Sequence, residues 1–296
     1  MRTRPDHWIA RLGAALLAGM ACLSLAACRL NAASAEGRLS ASVTDAKSLV
    51  VQNENGSVSI VKDPAATDLQ VSAKLRCVAE SKEAAEARVK ATKLVAERGA
   101  DGRVRVQVVF PSRAPGAVNV TVGWNDSQDA ASLVIRAANL DGIEVSTSNG
   151  SITVGAFSGP AKLHASNGAI HVDGHAGPLE MDTSNGAITA VGVGTPLVAD
   201  TSNGRVEVSL APTATGDVKI NTSNGRVELQ LPIAWQGTVR AETSNGSIET
   251  NVSSAMASTR VEQREDEATM TIGDGTRARA TIDTSNGRVA IRAETK

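Results

Sequence analysis

Residues 199–210 read Ala-Asp-Thr-Ser-Asn-Gly-Arg-Val-Glu-Val-Ser-Leu, and residues 220–231 read Ile-Asn-Thr-Ser-Asn-Gly-Arg-Val-Glu-Leu-Gln-Leu. Aligned on Asn203-Gly204 and Asn224-Gly225, the two share one apolar-polar alternation broken by one polar corner. The same Ser-Asn-Gly triplet recurs at Asn149-Gly150, Asn167-Gly168, Asn185-Gly186, Asn245-Gly246 and Asn286-Gly287. Successive asparagines are 18 residues apart three times, then 21 twice, then 41, about two periods. A fixed period of this size is the signature of a repeat architecture. The long last step predicts a degenerate unit around 261–272, with Glu265-Asp266-Glu267 in its turn. Asn55-Gly56, between Val50 and Val58, reads as an outlying early copy.

Each unit carries the same columns. Four residues before the asparagine stand Val145, Leu163, Met181, Ala199, Ile220, Ala241 and Ile282; two before, threonine recurs as Thr147, Thr183, Thr201, Thr222, Thr243 and Thr284. Two after the glycine the residue is always Ile or Val, from Ile152 to Val289. Alternation on both sides of a corner predicts strand-turn-strand with one buried face. Asn-Gly also favours type I′ hairpins, so a meander of antiparallel hairpins is one solution. The other, preferred here, is a β-solenoid in which like positions stack about 4.8 Å apart. Near-identical corners allow asparagine amides to ladder from coil to coil, and glycine is expected there for positive φ. The expected architecture is an all-β, parallel β-solenoid (β-helix) of 18–21-residue coils over 141–296. An N-terminal β segment over 41–140 is expected to cap it and to carry one α-helix, 81–98. Ser81 can cap that helix and Gly99 follows it. Its apolar stripe is Ala84, Ala87, Ala91, Leu94 and Val95. Strands are expected at 103–110 and 118–124.

The first residues read as a targeting segment. Arg2, Arg4 and Arg11 precede an apolar stretch, 12–25, too short to span a bilayer as a helix. It ends in Leu25-Ala26-Ala27-Cys28, which resembles the lipobox of bacterial lipoproteins. Residues 1–27 are thus expected to be removed, Cys28 to carry lipid, and 28–40 to form a tether. Ala33-Ser34-Ala35 is a competing cleavage site that would release an unlipidated chain. Arg29, rather than Asp, follows the cysteine, which by the same resemblance points to the outer membrane.

The chain has 30 basic and 31 acidic residues; without Arg2, Arg4, Arg11 and Asp6, 27 and 30 remain. No basic patch dominates, which argues against nucleic acid as a partner. With Cys28 lipidated, Cys77 is the sole remaining thiol, expected to be buried in a strand, and no internal disulfide is available. Tyr is absent, so no extended stacking platform for sugars or bases can be built.

At the T-S-N-G-x-[IV]-x-[VLI] units and the helix-bearing segment before them, the chain resembles the bacterial putative-adhesin family, a domain of unknown function. The match covers most of 40–295. The resemblance implies a Ser-Asn-Gly solenoid, an envelope location and no catalytic residues to carry over.

Candidate chemistry is sparse. His171, Asp173 and His175 share one face of an ideal strand, a possible zinc or copper set, with His164 in the preceding strand. Against it, Gly174 can turn the chain. Asp182, Asp200, Glu242 and Asp283 form a carboxylate column. Arg205, Arg226 and Arg288 follow the glycines, with Glu207, Glu228 and Glu249 beyond. Ca²⁺ binding and plain cross-strand charge balance both suit such columns, and the second is preferred. No carboxylate pair stands out as a glycosidase needs, and no P-loop, H-E-x-x-H or hydrolase elbow appears. The expected function is a non-enzymatic envelope lipoprotein with an adhesin-like binding or structural surface and no cofactor. Its partners are the membrane, through the lipid, and an unidentified envelope protein or surface ligand. An accessory or sensor protein of an envelope-stress system is the alternative, and a glycan-active enzyme ranks third.

Overall fold

The computed structural model describes residues 32–112, 128–253 and 259–293. Cys28 and the expected strand 118–124 lie outside them. The described chain is all-β, mostly parallel and solenoid-like, with one helix. Each coil places one strand before its Asn-Gly corner and one after it. Gly142–Asn149, Ala161–Asn167, Leu179–Asn185, Leu197–Asn203 and Val218–Asn224 stack in parallel on the first face. Ile152–Val154, Ile170–Asp173, Ile188–Val193, Val206–Leu210 and Val227–Leu231 stack on the second. Register holds column on column: Leu163 lies between Val145 and Met181, and Ala199 between Met181 and Ile220. Both apolar columns are buried, which leaves the alternate residues outside. The hairpin meander is thereby excluded. Asn55-Gly56 is a true level, since Ser48–Asn55 pairs in parallel with Gly142–Asn149, setting Asn55 beside Asn149.

The N-terminal end is closed by antiparallel pairing. Leu69–Ala79 lies between Ala33–Val43 and Ala130–Ala137, antiparallel to both. Residues 33–40 therefore belong to a strand, and the expected tether can extend only as far as residue 32. The helix runs Lys82–Ala91, capped by Ser81 Oγ accepting the Ala84 N–H at 3.2 Å. It is shorter than the expected 81–98. Thr92 ends it in extended conformation, and Lys93–Arg98 is a strand antiparallel to Arg103–Val109. In this stretch the alternation of Leu94 and Ala96 against Val108 and Val106 outweighs helical spacing. The expected stripe fails too: Ala85 is the buried helix residue, whereas Ala87 and Ala91 are exposed. Arg88 pins the helix by pairing with Asp129 and donating to the Pro111 carbonyl at 2.9 Å, while Asp129 Oδ1 accepts the Val78 N–H at 2.9 Å. Cys77 is buried and free, as expected.

The C-terminal end departs from the repeat order. Residues 261–272 form no coil. Thr259–Gln263 and Glu267–Ile272 make an antiparallel hairpin whose inner strand runs antiparallel to 237–242. The chain then returns as Arg279–Ala293, which inserts between the Asn224 level and the Asn245 level. Asn286 is thus interior to the stack and Asn245 is its last rung, the reverse of sequence order. Periodicity specifies what a coil presents to its neighbours, and every coil presents nearly the same edge, so it does not specify which coil docks where.

Candidate functional site: the asparagine corner and the polar face beside it

The corner is built from one residue type repeated in register. Asn149 donates its Nδ2–H to Asn55 Oδ1 at 2.8 Å, Asn167 to Asn149 at 3.1 Å, and Asn185 to Asn167 at 3.0 Å. Asn203, Asn224, Asn286 and Asn245 continue the line at 3.0, 3.0, 2.9 and 3.1 Å. Asn55 at the foot donates to the Asp129 carbonyl at 3.2 Å.

The glycines have a different reason from the one expected. Of the ladder glycines only Gly56 has positive φ, +113°. At the others, the next corner is too close for a side chain. A Cβ on Gly204 would lie 1.9 Å from the Gly186 carbonyl oxygen, and one on Gly225 would lie 1.8 Å from that of Gly204. Three of the buried threonines tie their corner to the next: Thr183, Thr201 and Thr243 donate to the Gly168, Gly186 and Gly287 carbonyls at 3.0, 3.2 and 3.3 Å.

Outside the first face, the expected carboxylate column is real and longer than the repeats alone suggest. Register sets His164, Asp182, Asp200, Asn221, Asp283, Glu242 and Glu267 side by side on seven neighbouring strands. Glu267 comes from the hairpin, which alternation of the repeats could not reveal. Together with the serines at 184, 202, 223, 244 and 285 and with Asp266, the acidic members line a groove of about 890 Å³. Charge is partly balanced along it. His164 Nδ1 lies 3.0 Å from Asp182, Asn221 donates to Asp200, and Arg240 reaches Glu242 at 2.6 Å and Glu267 at 3.3 Å. Asp283 has no ion pair or side-chain hydrogen bond among the described residues. The arginines after the glycines sit over glutamates: Arg205 on Glu207 at 2.7 Å, Arg226 on Glu228 at 3.6 Å, and Arg288 on Glu249. Arg288 holds the Glu249 carboxyl below its ordinary range. These exposed pairs contribute little stability each. Among the described residues, no three His, Cys, Asp or Glu side chains come together to hold a metal ion.

The His171, Asp173, His175 set is not assembled. Gly174, at φ +67°, turns the chain at the end of Ile170–Asp173. His171 and Asp173 stay outside while His175 is driven into the interior. Among the described residues, neither nitrogen of the His175 ring has a hydrogen-bond partner. Burial pushes its pKa down; the Gly159 and Pro178 carbonyls oppose this weakly, without completing a bond.

The family model described as Toastrack DUF4097 matches residues 88–292. Among curated proteins none matches the sequence. Several crystal structures resemble the chain. A "putative cell adhesion protein" from Clostridium sporogenes is 12% identical, with a TM-score of 0.35, over 88% of this chain and 100% of its own. A "putative adhesin" from Bacteroides fragilis is 9% identical, TM-score 0.40, over 88% and 97%. Another from Parabacteroides distasonis is 11% identical, TM-score 0.37, over 86% and 97%.

Proposed function

The chain belongs to the Toastrack DUF4097 family, and from that architecture we propose a non-enzymatic protein of the cell envelope that offers an adhesin-like binding or structural surface. In this reading Cys28 carries the lipid that holds it to the membrane, the outer membrane in a two-membrane cell, and the solenoid stands clear as a scaffold. The observation that carries the proposal is the column 182–200–221–283–242–267, where small polar and acidic side chains repeat in register along one groove. A catalytic site sets one or two groups apart from their surroundings in pKa and geometry. Here each carboxylate has near-equivalents one rung away. An extended ligand or a partner's surface can meet such a row at several rungs at once, and multiple weak contacts then add.

Photocrosslinking in living cells tests this reading. A photoreactive residue at Ser202 or Asp283, in the groove, should capture an envelope component. One at Ser59, on the coil's other face, should not. Hydrolysis of an envelope glycan by the purified protein, abolished by Asp200→Asn, would overturn it.

A further inference from the structure

One edge of the solenoid is left open. The strand Gly237–Val252 pairs along its inner side with Arg279–Ala293 throughout. On its outer side, pairing with the hairpin ends at Thr243, whose N–H donates to the Asp266 carbonyl at 2.9 Å. Beyond the corner, no strand among the described residues pairs with the outer side of 245–252. The direction of its backbone groups is fixed by two bonds. The Ser253 N–H points inward to the Ala293 carbonyl at 2.8 Å, whereas the Ile248 carbonyl points outward and accepts Gln263 Nε2–H at 2.8 Å. Residues 248, 250 and 252 therefore turn their N–H and C=O groups away from the stack. Asn245 Oδ1, at the end of the amide ladder, is also without a donor among the described residues. Such an edge is a template for another strand.

We propose that this edge pairs with the same edge of a second copy, antiparallel about a two-fold axis through Thr250. The sequence Ile248-Glu249-Thr250-Asn251-Val252 is complementary to itself in that register. Thr250 meets Thr250 of the second copy as a hydrogen-bonded pair, and Ile248 meets Val252. Both pairs lie on the inward face, so Ile248 of each copy covers Val252 of the other. Ile248 is already buried and Val252 only partly so, leaving Val252 area to bury. On the outer face Glu249 meets Asn251, and no like charges oppose. A centre at Glu249 would set the two Glu249 carboxylates against each other, and one at Asn251 would part Ile248 from Val252, so the side-chain pairs select Thr250. Gln263, an exposed hairpin side chain, now donates to the Ile248 carbonyl at 2.8 Å and accepts from Thr250 Oγ1 at 3.4 Å; pairing displaces it, with the Val252 N–H of the second copy taking over the Ile248 carbonyl. A two-fold contact uses this edge in both copies and leaves no free partner edge of its kind, so the assembly stops at two.

The test is sedimentation of the full chain in detergent over a range of concentrations. A monomer–dimer equilibrium is expected. Thr250→Pro, which removes the axial N–H, should leave monomer. Asn251→Glu sets two like-charge pairs across the axis and should weaken association about fivefold; Asn251→Lys sets two opposite-charge pairs and should tighten it. Position 251 is exposed, so this comparison decides the matter even if the proline variant fails to fold. Thr250→Cys should oxidise to a disulfide-linked dimer, because axial Cα atoms about 5.5 Å apart suit that bond; Glu249→Cys should not. Monomer at every concentration, or equal dissociation constants for Asn251→Glu and Asn251→Lys, overturns the proposal.

Discussion

Asn286 donates to Asn224 at 2.9 Å across 62 positions of sequence, and Asn245 then donates to Asn286 at 3.1 Å. The last strand of the chain is therefore gripped on both sides, while a strand made earlier is left at the edge. Asn286→Ala removes two ladder bonds and Asn245→Ala one. At about 0.5 kcal/mol per exposed bond, the low end for hydrogen bonds, the Asn286 variant should lose roughly twice as much stability, read from urea midpoints. Equal losses, or a larger loss at Asn245, would contradict the strand order.

The corner glycines separate two kinds of glycine requirement. Gly204 has no positive φ, yet its Cβ would meet the Gly186 carbonyl at 1.9 Å. Gly192 has φ +62° and nothing within 4 Å. Gly204→Ala forces neighbouring coils apart and should cost about 3 kcal/mol. Gly192→Ala bears only the left-handed backbone penalty, about 1 kcal/mol. Comparable thermal shifts for the two would count against close stacking as the reason for the glycine.

His175 makes stability pH-dependent. Burial holds its folded-state pKa below the ordinary 6.5. An unfolded chain takes up the proton as pH falls below that value, while the folded chain resists until lower pH. The contribution is fully present above pH 6.5 and is lost as pH falls through the folded pKa. His175→Leu should flatten the difference in denaturant midpoint between pH 7.5 and pH 5 relative to the parent. An unchanged difference would show that the ring is solvated.

For the anchor, Cys28→Ala should move the protein from the membrane fraction to the soluble one. A natural N-terminus at Glu36 would instead establish the competing cut. That cut would remove Ala33, Ser34 and Ala35, which pair with Ala79, Val78 and Cys77 in the folded cap. Mass spectrometry of the mature N-terminus distinguishes the two.

The in-or-out pattern of nearly every coil residue was legible in the sequence, as the burial of Leu163, Met181, Ile220 and Ile282 in one column shows. That pattern depends only on side chains two residues apart. The order of the last levels was not legible, because the Asn224, Asn245 and Asn286 units offer interchangeable edges, and the hairpin that reverses the chain has no Asn-Gly signal. The carboxylate column could be read only within the repeats. Glu267 joins it through antiparallel pairing, at a distance that no period encodes. The histidine set failed at Gly174, where one left-handed residue outweighed an otherwise regular alternation.

The foot of the ladder settles something about its whole length. A side-chain amide can face either way, but the Asp129 carbonyl can only accept, so Asn55 must turn its NH₂ toward it. Asn55 Oδ1 then faces Asn149, which must donate in turn, and the choice propagates to Asn245. Eight amide dipoles thus point one way along the stack, and each bond polarises the next. The solenoid carries an axial moment of its own, positive at the capped end and negative at the open edge. A single backbone oxygen beneath Asn55 sets its sign.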